Sequence, residues 1–162
     1  MILKELGYDP LPSYTHVDKK DDHYKLILVT GVRKHPYYAS EFRQVKSIRR
    51  RHPKPMVEMS PATANQLGLK EGNSVWIETP EGRIRHTLAF AEMLPNIVSI
   101  EYGWWYPEKS AEEPHLGGLW ESNANVLTSA DTAECDPILG QWNYRSIPCK
   151  VYKVEEASRW LS

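Results

Sequence analysis

The sequence is poor in the residues that build metal and disulfide sites. It has only two cysteines, Cys135 and Cys149, and they form no CxxC pair. None of its six histidines forms an HxxxH or HxH pair with another. We therefore expect no zinc site, no iron–sulfur cluster and no metal bound directly by this chain alone. Two reduced thiols are favoured over a disulfide, which stays the alternative.

A long apolar run and a strong net charge are also missing. No run of about 18 apolar residues occurs, so we expect no spanning helix and no direct membrane insertion. The formal net charge of −1 gives no overall field that would favour nucleic acid or a membrane surface. The first residues lack the apolar core of a secretory signal. A leader on a longer protein would decide between a prokaryotic cytoplasm and periplasm, so localisation stays unknown.

Short strand signals with glycine and proline turns make up most of the chain. The clearest run covers residues 55–84 and indicates strand, short helix, strand, turn and strand. Ser60 is a good N-cap, Pro61 suits the first helical position, and Gly68 can end the helix in a left-handed conformation. A further helix is predicted over residues 41–51. Strands are predicted at residues 24–30, 56–59, 74–79, 83–90, 97–102 and 147–154.

This pattern predicts a mainly β fold with a closed barrel. We expect a lead-in segment over residues 1–23, the barrel domain over 24–155 and a tail over 156–162. Residues 103–137 are long, irregular and rich in tryptophan, proline, glycine and asparagine. Connections of that length are usually functional or disordered.

Several separated segments resemble, in order, the C-terminal dinucleotide-binding domain of the molybdopterin oxidoreductases, the dimethyl sulfoxide reductase family. The segments are ELGYDPLP at residues 5–12, LVTGVRKHPYYASEFRQ at 28–44, the 55–84 block, YGWWYPE at 102–108, SNANVLT at 122–128 and DPILGQWNYRSIPCKVYKV at 136–154. The resemblance implies a six-stranded double-psi β-barrel with one or two short helices and long functional loops.

The first candidate binding loop follows the buried strand that ends at Thr30. Gly31 allows positive φ and a close backbone approach to a ligand, and an arginine fork suits a pyrophosphate. An ordinary turn with solvated charges is the alternative. Ala39 stands where the family commonly has histidine, and His35 or Tyr38 could substitute for that contact. The candidate cofactor residues in this loop are Thr30, Gly31, Arg33, His35, Tyr38, Ser40 and Arg43.

Three later loops carry the remaining candidates. Gly103 and Trp104 could form a wall against a flat heteroaromatic ligand, or Trp104 could plug the barrel core. Asn123 and Asn125 offer donor and acceptor groups together, although asparagine is also a common turn former. The resemblance adds Tyr144 and Arg145, which precede the last strand.

A basic cluster at Arg43, Lys46, Arg49, Arg50, Arg51 and Lys54 raises the alternative of nucleic-acid binding. The cluster lacks aromatic interleaving and base-reading signatures, so we expect no nucleic-acid partner. Residues 101–138 are acidic and could pair with the cluster within the chain.

The resemblance implies a C-terminal cofactor-binding domain of a molybdenum (or tungsten) oxidoreductase catalytic subunit. The implied cofactor is bis-molybdopterin guanine dinucleotide, with molybdenum or tungsten held by other domains. The family's metal ligand and iron–sulfur cysteines lie in an earlier domain, so this chain is not expected to be catalytic alone. The implied partners are the remaining domains of the subunit and an iron–sulfur electron-transfer subunit. The alternative is a free-standing β-barrel interaction or adaptor module.

Overall fold

Six strands form a closed barrel in the computed structural model, which describes residues 2–9, 11 and 22–155. The strands are β1 Leu26–Val32, β2 Met56–Met59, β3 Ser74–Thr79, β4 Gly82–Phe90, β5 Ile97–Glu101 and β6 Arg145–Lys153. The α-helices are α1 Ile2–Glu5, α2 Lys46–Arg49, α3 Pro61–Gln66 and α4 Leu119–Ser122. Single 3-10 turns cover Leu116–Gly118, Ala124–Leu127 and Thr132–Glu134.

The strand order around the barrel is β1-β5-β2-β4-β3-β6. Strand β5 lies between β1 and β2, so the connection from β1 to β2 passes over β5. Strand β2 lies between β4 and β5, so the connection from β4 to β5 passes over β2. β1 runs parallel to β5, and β2 runs parallel to β4. These two interlocked crossings are the double-psi arrangement. The predicted mainly β, six-stranded double-psi barrel is confirmed.

The core follows the alternation of the strands. Val75 and Ile77 on β3 are fully buried and pack with Ile84 and Leu88 on β4, while the alternate residues of both strands are less buried. Such a period of two places one apolar face inside the barrel. Cys149 joins this core as a free thiol, and burial raises its pKa to about 12. The thiol therefore stays protonated and chemically quiet at neutral pH.

Helix α3 begins and ends where the sequence predicts. The Ser60 side chain accepts a hydrogen bond from the amide of Thr63 at 3.2 Å, and Pro61 is the first helical residue. Gly68 adopts φ +68° just after the helix, which ends it in the left-handed region. The predicted cap and stop are both confirmed.

Several predicted boundaries differ from the structure. β4 starts one residue before the prediction and β5 ends one residue before it. Strand β1 begins later and ends later than residues 24–30, because its pairing with β5 continues to Val32 opposite Glu101. Strand β6 starts at Arg145, two residues before the prediction, because it pairs with Val29. The predicted helix over residues 41–51 is reduced to α2, since Phe42 has φ +65° and interrupts a right-handed helix.

The predicted tail over residues 156–162 lies outside the described residues, as do residues 1, 10 and 12–21 of the predicted lead-in. No helix within residues 2–9, 11 and 22–155 has the length and hydropathy that a bilayer crossing needs.

Candidate functional site

Loops from four parts of the sequence meet at one end of the barrel. β1 and β5 are parallel and end together, with Val32 opposite Glu101. β6 is antiparallel to β1 and begins at the same end, with Arg145 opposite Val29. The turn between β3 and β4 also lies there, because β3 is antiparallel to β6. The loops that carry the predicted site residues therefore share one face of the molecule, which we call the loop face.

Thr30 joins the first loop to the last one. Its amide and its hydroxyl both donate to the carbonyl of Tyr144, at 3.1 Å and 2.8 Å. The next residue, Gly31, is exposed with φ +83°, and a Cβ built there meets nothing within 4 Å. A ligand can therefore approach the backbone at Gly31, while the Thr30 hydroxyl is already used inside the protein.

Exposed cationic and aromatic side chains follow Gly31. The guanidinium of Arg33 lies 4.4 Å from the centre of the Tyr38 ring, and both residues are exposed. His35 is exposed and precedes a cis proline. Tyr144 and Arg145 are exposed near the start of β6. These side chains give the loop face positive charge and flat surfaces that solvent can reach.

Gly103 lets the aromatic loop, residues 102–108, pack against the first loop. Its φ is +50°, and a Cβ there would lie 3.2 Å from the Cβ of Ser40. The indole of Trp105 also donates to the Ser40 carbonyl. A side chain at Gly103 would separate the two loops, so glycine is required for both the backbone conformation and the close contact.

Arg43 is a buried link between these two loops. Its Nη2 lies within hydrogen-bonding distance of the carbonyls of Ala39 at 3.2 Å, Tyr102 at 3.0 Å and Gly103 at 3.4 Å. The guanidinium carbon lies 4.4 Å from the Tyr37 ring centre and 4.1 Å from that of Trp104. Burial lowers the pKa of Arg43, although Glu101 opposes this effect. Arg43 therefore positions the loops from behind.

Glu101 is a buried carboxylate that the sequence analysis did not single out. Oε1 accepts from His52 Nε2 and from the amide of Met56, each at 2.9 Å. Oε2 lies 3.9 Å from Arg43 Nη2. The sequence signal for this residue was a charged side chain at the end of β5, a mostly apolar strand. This network connects the first loop, the start of β2 and the end of β5.

The ring of Trp104 is fully buried against Tyr37, His52 and Tyr106. The structure thus places this ring in the packed layer under the loop face. Its carbonyl accepts from Asn123 Nδ2 at 3.4 Å. The tryptophan therefore also holds residues 122–128, which we call the asparagine loop.

Asn123 shapes the loop that contains Asn125. Its Oδ1 accepts from the Asn125 amide at 3.0 Å and caps a short 3-10 turn. Asn123 is half-buried, whereas Asn125 is exposed. The turn-forming alternative is thus present for Asn123, and the carboxamide of Asn125 is the one that solvent reaches. Cofactor contact stays a prediction for both.

His86 is a second buried residue that the sequence analysis missed. Its Nε2 lies 2.9 Å from the carbonyl of Ser122, and its Nδ1 lies 3.2 Å from the carbonyl of Met56. A neutral ring donates one of these bonds, and the shorter contact assigns it to Ser122. His86 occupies an inward position of β4, between Ile84 and Leu88. It therefore fastens the asparagine loop to the barrel.

The stability of the protein is expected to fall as the pH decreases below about 6.5, the ordinary pKa of histidine. Burial lowers the pKa of His86 in the folded chain. The unfolded chain then binds a proton that the folded chain excludes, so acid favours unfolding. Urea titrations between pH 5 and pH 8 measure this, with His86→Gln as the comparison. Equal pH dependence in the two proteins would contradict the assignment.

The donor set of the loop face fits a phosphate-bearing heteroaromatic cofactor. The open backbone at Gly31 lies beside the cation of Arg33, which suits a phosphate. The side-chain carboxamide of Asn125 suits the mixed donor and acceptor edge of a pterin or guanine. In the part of the chain that the structure describes, no group of three or more His, Cys, Asp or Glu side chains is placed to hold a metal ion.

Known proteins resemble this chain in sequence, and a solved structure resembles it in fold. A family model described as "Molydopterin dinucleotide binding domain" matches residues 26–148. Dopamine dehydroxylase of Eggerthella lenta is 38% identical over 151 residues, which cover 88% of this chain and 14% of that protein. Acetylene hydratase of Syntrophotalea acetylenica is 34% identical over 163 residues, which cover 94% of this chain and 22% of that protein.

A solved structure of acetylene hydratase from Pelobacter acetylenicus superposes with a TM-score of 0.87 at 30% identity. The superposition covers 94% of this chain and 22% of that one. The chain thus spans between 14% and 22% of the length of these proteins.

Proposed function

We infer the function from one premise: the chain belongs to the molybdopterin dinucleotide-binding domain family. It is a cofactor-binding domain for molybdopterin. We propose in addition that the bound form is the guanine dinucleotide, and that the loop face covers one side of a bis-molybdopterin guanine dinucleotide.

The convergence of the predicted loops supports this proposal most strongly. Residues far apart in the sequence touch one another directly: Thr30 contacts Tyr144, Ser40 contacts Gly103, and Asn123 contacts Trp104. Outward from these contacts lie an open backbone, exposed cations and an exposed carboxamide. A long ligand with a phosphate section and a heteroaromatic end needs such a set on one surface.

Each part of the loop face has a proposed role. The Gly31 backbone and Arg33 bind phosphate oxygens, with His35 and Tyr38 beside them. Asn125 hydrogen-bonds to the edge of a heteroaromatic ring, in a loop that Asn123 shapes. Tyr144 and Arg145 border the same face. Arg43, Ser40, Thr30, Gly103 and Trp104 hold these groups in place through the contacts described above.

We propose that the rest of a larger catalytic subunit completes the site. The cofactor, when bound, supplies a molybdenum or tungsten centre for redox or substrate chemistry, and other domains hold that metal. This chain binds and orients one part of the cofactor. The relatives are named for a hydratase and a dehydroxylase reaction, so we assign to this domain the shared cofactor and not the choice of substrate.

The larger protein is proposed to be an oxidoreductase of the molybdopterin family. Its other domains are the proposed partners, together with an iron–sulfur electron-transfer subunit. Both belong to the proposal because the chain spans only a small part of its relatives.

Binding of purified molybdopterin guanine dinucleotide to this chain tests the proposal. We expect Arg33→Ala and Asn125→Ala each to weaken binding by about 10-fold, the effect of losing one charge-assisted or polar contact. Both side chains are exposed, so the unfolding midpoint should stay the same. Lys70→Ala, in the turn before β3, is the matched control and should bind normally. Absence of binding to the folded chain would favour the free-standing module.

A further inference from the structure

A cleft of about 630 Å³ lies beside helix α2, between the first loop and residues 107–108. Four cationic side chains line it, Arg43, Lys46, Arg49 and Arg50, and Pro53 and Pro107 contribute apolar walls. We call it the arginine cleft. Its volume lies in the range of small-molecule sites.

Negative charge in the arginine cleft is scarce among the described residues. Glu108 also lines it and pairs with Arg49 Nη2 at 3.1 Å. Glu101 lies behind it, 3.9 Å from Arg43 Nη2. The acidic half of the sequence therefore does pair with the basic cluster, as expected, but the cleft keeps more positive than negative side chains.

Three buried nitrogen atoms of residues that line the cleft have no hydrogen-bond acceptor within range in the described protein, although the Tyr37 ring contacts the Arg43 guanidinium. They are Nε and Nη1 of Arg43 and Nη1 of Arg49. A buried donor of a charged group without a partner carries a large desolvation cost. The Trp104 ring centre lies 4.1 Å from the guanidinium carbon of Arg43 and 5.0 Å from that of Arg49. Stacking on one indole holds the two like charges close together.

An added anion would relieve this arrangement. Burial lowers the pKa of Arg43, Glu101 and Tyr37 raise it, and the nearby Arg49 lowers it again. A bound oxyanion would oppose the effects of burial and of Arg49 through its charge. Guanidinium groups recognise oxyanions through paired parallel donors, and a neighbouring lysine adds a point charge.

We propose that the arginine cleft binds a phosphate-class oxyanion held by Lys46, Arg49 and Arg50, with Arg43 behind them. The proposal adds a second phosphate-binding place to the protein, since Lys46, Arg49 and Arg50 are not among the residues assigned to the loop face. The ligand is a phosphorylated small molecule or a phosphate group of the cofactor itself. These sources share the same chemistry.

Titration of the full chain with inorganic pyrophosphate at constant ionic strength tests the proposal by calorimetry and by tryptophan fluorescence. Lys46→Met and Arg50→Met change exposed side chains. Each is expected to weaken binding by about 10-fold. Glu108→Gln removes the competing carboxylate and should strengthen binding by a few-fold. Lys153→Met, at the far end of β6, should bind as the parent does. Arg49 is left intact because it packs on Trp104.

Two results would overturn the proposal: no saturable binding, or binding that sodium chloride displaces as well as phosphate does and that the Lys46 and Arg50 variants retain. Competition with molybdopterin guanine dinucleotide separates the sources, because displacement identifies the phosphate of the cofactor and simultaneous binding identifies a separate molecule. Arg33→Ala is titrated with pyrophosphate as well: a site that Arg33→Ala weakens and that the Lys46 and Arg50 variants retain belongs to the loop face, and this result would also overturn the proposal. Failure of either proposal is therefore seen separately.

Discussion

Replacing Glu101 with leucine is expected to lower the free energy of unfolding by about 3–5 kcal/mol, the cost of removing one partner from a buried ion pair. The carboxylate is 2% exposed and accepts hydrogen bonds from His52 and from the Met56 amide. Its loss leaves those donors and the Arg43 guanidinium without their acidic partner. Urea denaturation at pH 7.5 measures the effect, which should appear as a lower midpoint with an unchanged slope.

Two further variants show whether the charge of Arg43 causes the loss. Glu108→Leu removes an exposed acidic side chain and should change the free energy of unfolding by less than about 0.5 kcal/mol. The double variant Glu101→Leu with Arg43→Met removes both buried charges, and it should recover part of the stability. A double variant whose loss equals the sum of the single losses would show that the two groups act independently.

Replacing Gly82 with alanine is expected to weaken binding of molybdopterin guanine dinucleotide by at least about 10-fold. A Cβ at this position would lie 2.9 Å from the Val126 carbonyl oxygen and 3.1 Å from its Cγ1. The first of these is a backbone atom, so the asparagine loop must move. The Thr79 hydroxyl donates to the Leu127 carbonyl at 3.0 Å and holds the same loop in place. Overpacking of this kind typically costs about 1–3 kcal/mol of stability.

The neighbouring variant Glu81→Ala is the control, because that side chain is exposed and should affect neither binding nor stability. Parallel calorimetric titration and thermal unfolding separate the two effects of Gly82→Ala. Full cofactor affinity in a folded Gly82→Ala protein would show that the position of the asparagine loop does not matter for binding.

The barrel could be predicted best where its signals are local. Strands β2 and β3 have the predicted bounds, and α3 begins at its predicted cap. A serine cap, a glycine stop and two-residue alternation act over a few neighbours, so the sequence alone contains them. The ends of β1 and β6 depend on partners far along the chain, and these ends differ from the prediction.

The region of residues 103–137 contains structure that periodicity could not show. Helix α4 has only four residues, and the 3-10 turns around it have three or four. Segments this short do not complete two helical turns, so they leave no repeating apolar pattern.

The sequence could predict which residue types occur in the candidate site, but not which atoms they hydrogen-bond to. The sequence indicates Thr30 and Arg43 as polar groups in a binding loop, whereas the structure shows them bonded to carbonyls of other loops. Glu101 and His86 could not be predicted as site residues, because their roles depend on long-range contacts. Glu101 contacts His52, and His86 contacts the Ser122 carbonyl. No local pattern contains such pairs.

The interlocked strand order also determines when the loop face can exist during synthesis. Among the strands of the described residues, β3 and β4 alone form a hairpin between sequence neighbours. The other adjacent pairs join segments far apart in the chain. Such topologies fold slowly, because long loops must close before their contacts can form. On the ribosome, β1 cannot pair until β5 and β6 have been synthesised, because both strands follow it in the chain. A nascent chain therefore has no assembled loop face, and a cofactor that binds there, as we propose, inserts only after β6 is complete.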